Sequence, residues 1–416
     1  MAAPNETYRP AFPPNPKPYI SIGLPFPEAC AHHITHTFRA SKVYIIVSNS
    51  ISQTENFTRL KSALGEKIVG VRKGIKPHTP WDDIVEIVND VRDKEANVII
   101  TLGAGSLTDG AKIVNFALAN NISTLDDLSR LAAEASPHNP KACQIPVINI
   151  PTSLSGGEYS AIAGGTDTRT QHKGLFTHPS MLAHLVILDP ALSISTPERI
   201  WLSSGIRAVD HCVEGLCSLD SKATPETDKV LEAGLRLLVP NLLLTKRNWE
   251  DEKARLDSML GVIESMKGLS FGVPMGGSHG IGHQLGPLGV GHGETSCIML
   301  PAVLKYNAQH GGEEVKKAQQ KVLDILWDQE TVVEVLRKKG LGKETADAGD
   351  VVGAIITELV MPRTLKDVGV GREKLNALAV NCLKDKWLKT NPVPLTEKKQ
   401  VLAILETVIG DGKSSL

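Results

Sequence analysis

From residue 42 onward, short β-branched runs alternate with amphipathic stretches. The runs occupy residues 42–47, 67–71, 97–102, 146–150 and 185–188, and they are apolar nearly throughout. Continuous rather than alternating apolarity predicts strands covered on both faces. Between them, Ile84, Val85, Ile87, Val88 and Val91 recur at helical spacing over 81–92. Thr79 before Pro80 predicts an N-cap followed by a proline at the first helical position. Such alternation specifies a parallel sheet wrapped by helices, with ligands at the carboxyl ends of the strands. From about residue 189 the pattern becomes helical. Thr196-Pro197-Glu198 opens a helix expected to run to about Ser218, followed by helices over 224–245, 250–270, 313–339, 349–360 and 371–384. The expected organisation is a proline-rich tail over 1–18, an α/β dinucleotide-binding domain over 19–190 and an all-helical substrate or metal-site domain over 191–416. The site is expected in the cleft between the two domains.

Composition narrows the partners. At 416 residues, with 41% hydrophobic and 22% charged residues, the chain is an ordinary soluble globular protein in makeup. A net charge of -1 without a basic block argues against nucleic acid or an anionic membrane surface, so a small-molecule substrate is expected. No apolar run reaches the roughly 18 residues that a spanning helix requires. The first 18 residues hold six prolines and no apolar signal core, so they are expected to form an extended tail, packed on a neighbouring subunit. Six cysteines without CxxC spacing are expected to be buried thiols in a reducing cytoplasm. The terminal Ser414-Ser415-Leu416 only loosely resembles a peroxisomal address.

Three stretches carry candidate chemistry. The run at 97–102 ends in Gly103-Ala104-Gly105-Ser106-Leu107-Thr108-Asp109-Gly110-Ala111-Lys112 and passes at once into a helix. Glycines there let backbone approach a phosphate, and the exposed N–H groups and dipole of the helix favour its charge. The run at 146–150 ends similarly in a polar loop holding Thr152, Ser153, Ser155, Gly156 and Gly157. Two such loops at neighbouring strand ends suit the two phosphates of NAD or NADP. Asn49 follows the first run where an acidic residue would grip a ribose and repel a 2′-phosphate, so NAD and NADP are not distinguished. The third stretch holds His279, His283 and His292. The first two stand at i and i+4 on one helix face, and a Gly/Pro loop precedes the third, a pattern suited to metal binding or proton transfer.

Together these motifs resemble the iron-containing (group III) alcohol dehydrogenase superfamily, which also contains maleylacetate reductases. The likeness runs from about Tyr19 to Ile409. Residues 103–112 resemble its GGGSxxDxAK turn, 150–158 its PTTxxGSE loop, and 205–215 its GxDAxxHxxEG helix. The resemblance implies a dehydroquinate-synthase-like fold, a homodimer, and cofactor contacts from Gly103, Ala104, Gly105, Ser106, Thr152, Ser153 and Ser155. It also implies Asp109 near the nicotinamide, a cofactor contact from Lys173, and His283 as proton shuttle.

The departures carry more information. Metal-dependent members bind iron or zinc through one Asp and three His, and His211, His279 and His292 stand at the three His positions. The Asp position is Arg207, and a guanidinium donates only and repels a cation at close range. Fe or Zn is therefore possible but disfavoured, and Asp210, about three-tenths of a turn from His211, is a poor substitute ligand. Maleylacetate reductases also lack the Asp. The expected function is thus NAD(P)H-dependent hydride transfer to a carbonyl or conjugated enone bearing a carboxylate. Arg207 would clamp the carboxylate or stabilise the developing oxyanion, and His283 and His279 would complete the catalytic set. The plainer reading of Arg207 is an i+3 ion pair with Asp210. Rival functions are an iron- or zinc-dependent dehydrogenase with a three-His site, and lyase or cyclase chemistry on the same fold.

Overall fold

The computed structural model describes residues 2–76, 79–132, 139–170 and 172–410; Ser414-Ser415-Leu416 lies outside them. The chain divides into two compact units, Met1–Thr196 and Pro197–Leu416.

In the first unit the strands among the described residues are β1 (Thr7–Pro10), β2 (Tyr19–Ile22), β3 (Val43–Val47), β4 (Ile68–Lys73), β5 (Val98–Gly103), β6 (Val147–Pro151), β7 (Ile162–Asp167), β8 (His172–Thr177) and β9 (Leu185–Leu188). The helices are α1 (Phe26–His32), α2 (Glu55–Leu64), α3 (Trp81–Asp93), α4 (Gly105–Ala119), α5 (Leu125–Leu131) and α6 (Pro190–Ser193). Seven strands form one sheet in the order β1-β2-β9-β6-β5-β3-β4, parallel except for β1 against β2. The five apolar runs are the parallel strands β3, β4, β5, β6 and β9. Every residue of β3, β5, β6 and β9 is buried, whereas β4 at the sheet edge is partly open. Strand periodicity sends Tyr44 and Ile46 into a cluster with Ile99, Ile84, Val88 and Val114, and Val43, Ile45 and Val47 into another with Ile100, Phe57 and Leu60. Each such side chain contributes roughly 1.5–3 kcal/mol on full burial, so these strands hold their register firmly.

Several local expectations differ from the structure. Residues 7–10, expected in an extended tail, form the edge strand β1, with Tyr8 stacked on Tyr19 at 4.6 Å. Within β1 only its last residue, Pro10, is a proline, so the short ladder lacks few donors. Both Thr-Pro helix starts are shifted by one residue: Pro80 and Pro197 are themselves the N-caps, with ψ of 139° and 137°. Thr79 adopts φ 50°, and Thr196 donates its hydroxyl to the Thr152 carbonyl at 2.7 Å instead of capping. β7 and β8 form a separate two-stranded hairpin that the apolar pattern did not announce. All six cysteines are free thiols, five buried and Cys143 partly so.

The described residues of the second unit form α7 (Glu198–Cys217), α8 (Pro225–Arg247), α9 (Glu252–Ser270), α10 (Gly277–Leu285), α11 (His292–His310), α12 (Glu313–Trp327), α13 (Glu330–Lys338), α14 (Ala348–Glu358), α15 (Leu375–Cys382) and α16 (Lys398–Thr407), with short 3-10 turns between. The stretch 313–339 is two helices, broken at Asp328-Gln329. Ile281, Leu285, Ile298, Met299, Val303, Leu378, Leu388 and Ile404 share one core, which locks α10, α11, α15 and α16 together. Among the described residues, no helix is long and apolar enough to cross a membrane.

Candidate active site

Two sets of functional side chains emerge, one in each unit. In the first, β5 and β6 run in parallel with Gly103 opposite Pro151, and Thr152 N–H meets the Gly103 carbonyl at 3.1 Å. Gly103 has φ 149°, and a Cβ there would lie 2.7 Å from Leu107 Cδ1. Glycine is needed at this turn because both conformation and space exclude a side chain. A Cβ on Gly105 would lie 2.8 Å from Ser155 Oγ. Ser155 Oγ in turn sits 2.9 Å from Ser153 Oγ. Helix α4 begins here with Ala104 as N-cap and without a side-chain cap. Its leading amides and dipole therefore face a tight, hydroxyl-lined turn, which is the chemistry of a phosphate cradle.

The remaining expected cofactor residues fall into place unevenly. Asn49 follows β3 and lies against Gly74 at the end of β4, since a Cβ on Gly74 would be 2.8 Å from Asn49 Nδ2. Ser106 is exposed in the first turn of α4. Asp109 sits one turn along and accepts from the buried Lys112 ammonium at 3.1 Å, while that ammonium also reaches the Ile162 carbonyl at 2.8 Å. Lys173 stands opposite Thr166 in the β7–β8 hairpin, and the Thr166 N–H meets Thr79 at the approach to α3. The Lys173 side chain runs along Gly164, where a Cβ would lie 2.6 Å from Lys173 Cε. The residues at the ends of β3, β5 and β6 fit a dinucleotide.

In the second unit, α7 presents Arg207, Asp210, His211 and Glu214. Glu214 caps α10 from across the helical stack. Its Oε2 accepts from Gly276 N–H at 2.9 Å and from His279 Nδ1 at 2.8 Å, and its Oε1 accepts from Ser278 N–H at 2.7 Å. The Gly277 N–H goes to Asn391 Oδ1 at 3.0 Å, so the opening amides of α10 are satisfied by side chains remote in sequence. Asp210 Oδ2 accepts from the hydroxyls of Ser278 on α10 and Ser296 on α11, at 2.8 and 2.6 Å. One carboxylate thereby ties three helices together. Arg207, partly buried, donates to Ser296 Oγ at 3.2 Å. The direct i+3 pair between Arg207 and Asp210 is replaced by this serine relay.

Three buried atoms of the cluster lack a partner among the described residues: Asp210 Oδ1, His211 Nδ1 and His279 Nε2. The rings of His211 and His279 stack with centroids 4.8 Å apart. Burial pushes both imidazoles well down, reinforced at His211 by His279 and Arg207, and at His279 by Arg207, His283 and His292. Both rings are therefore neutral. When ionised, the Glu214 carboxylate only accepts, so His279 then carries its proton on Nδ1 and leaves Nε2 as a lone pair. Burial also pushes Asp210 well up and Glu214 up to about 7, the repulsion between the two carboxylates adding at Asp210 and the amide donors opposing at Glu214. Burial lowers Arg207, while Asp210 and Glu214 hold its proton on.

His211 and His279 stack, and His292, exposed as the first residue of α11 near Gly286, is close enough to help push the His279 imidazole down. Among the described residues, the one group with ligand atoms within 4.8 Å of each other is Asp210, Glu214 and His279. Their facing lone pairs are already engaged by amides and hydroxyls, and the Arg207 cation sits beside them. The Arg207 cation opposes a divalent ion at this cluster, while Asp210 Oδ1 and His279 Nε2 stay open. His283, one turn after His279, is half-buried and pairs through Nδ1 with Asp385 Oδ2 at 2.8 Å. The sequence does not single out Ser278, Ser296 or Asp385, and Glu214 enters only as the acidic residue of the 205–215 motif. Their sole local signal is the Asp-Lys-Trp turn that Asp385 caps.

A tight glycine turn at parallel strand ends, and a helical unit carrying an arginine–histidine–carboxylate cluster, suit a dinucleotide-linked enzyme. Sequence profiles agree: residues 26–190 match "Iron-containing alcohol dehydrogenase" and residues 201–409 match "Fe-containing alcohol dehydrogenase family, C-terminal". The chain belongs to the iron-containing alcohol dehydrogenase family and is an oxidoreductase. It is similar to "Dehydrogenase ALT3" of Alternaria alternata, at 46% identity over 88% of this chain and 99% of that protein. It is also similar to "Dehydrogenase FUM7" of Gibberella moniliformis, at 42% identity over 94% and 96% of the two chains. Among solved structures, maleylacetate reductase from Rhizobium sp. strain MTP-10005 superposes with a TM-score of 0.72 at 24% identity, covering 96% of this chain and 97% of that one.

Proposed function

We propose that the protein is an NAD(P)H-dependent reductase that delivers hydride to a carbonyl or conjugated enone bearing a carboxylate, and that it works without a metal ion. The carrying observation is Arg207: it stands at the sequence position where the resemblance expects the metal-ligating Asp, and its guanidinium donates to Ser296, whose hydroxyl is held by Asp210. A bound dinucleotide supplies the hydride. Gly103, Gly105, Ser153 and Ser155 hold its phosphates through backbone approach and hydroxyls. Arg207 donates to the substrate carboxylate or to the oxygen on which charge develops, replacing a Lewis acid by a fixed cation. His279, locked by Glu214, offers its Nε2 lone pair to a substrate hydroxyl. His283, the more open imidazole, supplies the proton that completes reduction.

Similarity to proteins named dehydrogenases and to a maleylacetate reductase supports this reading. A three-His metal-dependent dehydrogenase is the second reading. It is favoured by one observation: a carboxylate on His279 Nδ1 with Nε2 free is also how second-shell groups prepare a metal ligand. Metal content by plasma mass spectrometry, beside NADH and NADPH oxidation on maleylacetate and simple aldehydes with and without EDTA, decides between them. EDTA-resistant turnover with substoichiometric metal supports the proposal. One tightly held iron or zinc per chain, with turnover lost to EDTA, refutes it.

A further inference from the structure

Gly280 faces the 3-10 turn at Lys386–Leu388, and a Cβ there would lie 2.2 Å from Leu388 Cδ1 and 3.4 Å from Trp387 Cβ. The missing side chain lets this turn lie directly against α10. Asp385 caps the turn, accepting from Trp387 N–H through Oδ1 at 2.9 Å, and its other oxygen, Oδ2, faces His283 Nδ1 at 2.8 Å. The carboxylate is 11% exposed and the imidazole 34%, so the pair is sheltered on the acid's side and open on the ring's. A carboxylate only accepts, so the His283 proton that faces it stays on Nδ1.

We propose that Asp385 is a positioning residue that fixes the tautomer and orientation of His283, so that Nε2 is the atom that gives and regains the catalytic proton. The inference rests on the proposed reading of His283 as proton donor. In the step itself, the imidazolium Nε2–H bond breaks and its proton joins the substrate atom that bears the electron pair displaced by hydride addition. The ring returns to the neutral form with Nδ1–H still on Asp385 and is reprotonated at Nε2 from solvent. Neither the ring nor Asp385 changes oxidation state.

Asp385→Asn tests this with little change in shape. Its single oxygen stays on the Trp387 N–H, so the amide NH2 faces His283 Nδ1 and forces the proton to Nε2. Two measurements follow on the full chain. Long-range ¹⁵N–¹H spectra, with the His283 signals identified by their loss in His283→Ala, need no substrate. The neutral ring of the unsubstituted protein is expected to show a protonated Nδ1 and a bare Nε2, reversed in Asp385→Asn. NADH or NADPH oxidation with maleylacetate should show kcat about 10²–10⁴-fold lower in Asp385→Asn, as for other wrong-tautomer acid–base pairs. In a His283→Ala background the same change should cost nothing further. A neutral His283 with its proton on Nε2 overturns the inference, as do equal losses in both backgrounds. A reversed tautomer with kcat unchanged removes His283 from turnover and the proposal with it, whereas failure of Asp385 alone leaves His283→Ala inactive.

Discussion

Glu214 offers the most demanding test of the helical cluster. Its carboxylate receives three donors in a buried setting: Gly276 N–H, Ser278 N–H and His279 Nδ1–H. Glu214→Ala leaves all three without a partner. At about 1–3 kcal/mol for each buried unsatisfied donor, partial relaxation gives an expected loss of about 3–6 kcal/mol, a large share of the roughly 5–15 kcal/mol that holds a domain folded. The pH dependence is separately predictable. Burial raises the folded-state value of Glu214 to about 7 from an ordinary 4.5. The folded chain therefore binds the proton more tightly than the unfolded chain. Its stabilising contribution is complete below about pH 4.5 and is lost as pH rises through 7, by roughly 3 kcal/mol. Urea unfolding followed by circular dichroism from pH 4.5 to 8 reads both effects. Glu214→Gln, which cannot titrate, should lose that downward component. If Glu214→Ala unfolds at the same urea concentration as the parent, or Glu214→Gln keeps the full slope, the account of this carboxylate is wrong.

Arg207→Asp removes the cation and adds an anionic ligand beside His211 and His279, so iron or zinc retained after gel filtration should rise; unchanged metal content would sink the alignment of this position. His283→Ala should lower turnover on a true substrate at least 10²-fold while NADH binding, read by fluorescence, stays within about twofold of the parent. Gly105→Ala places a methyl against Ser155 Oγ and should weaken NADH or NADPH binding about tenfold or more with little change in thermal midpoint; equal binding would mean that the phosphates do not approach this turn.

The parallel strands, the helix opening at Gly105 and the placement of His279 and His283 one turn apart were all legible in the chain. Apolar runs, glycine at a strand end and i, i+4 spacing are local signals, and each constrains only a few consecutive residues. The edge strand β1 was not legible, because a four-residue strand among prolines has no periodicity to show and depends on pairing with Tyr19–Ile22. Nor was the true company of the histidines. Helix geometry put Asp210 on a different face from His211, yet α10 and α11 bring Ser278 and Ser296 to it. Spacing offered His292 beside His279 and His283, and the fold sets it, exposed, at the start of α11.

Residue types and their periodicity thus determined the buried parallel strands, most of the helices, and the glycine turn suited to an anion. Only the packing of α7, α10 and α11 decided that Glu214 caps α10 and that Arg207 reaches Asp210 through a serine. A close turn against Gly280 decided that Asp385 meets His283 across 102 residues. The physical reason is range. Backbone hydrogen bonding and hydrophobic alternation act over a few residues, whereas a buried polar atom takes whatever donor or acceptor the packed helices bring within about 3 Å.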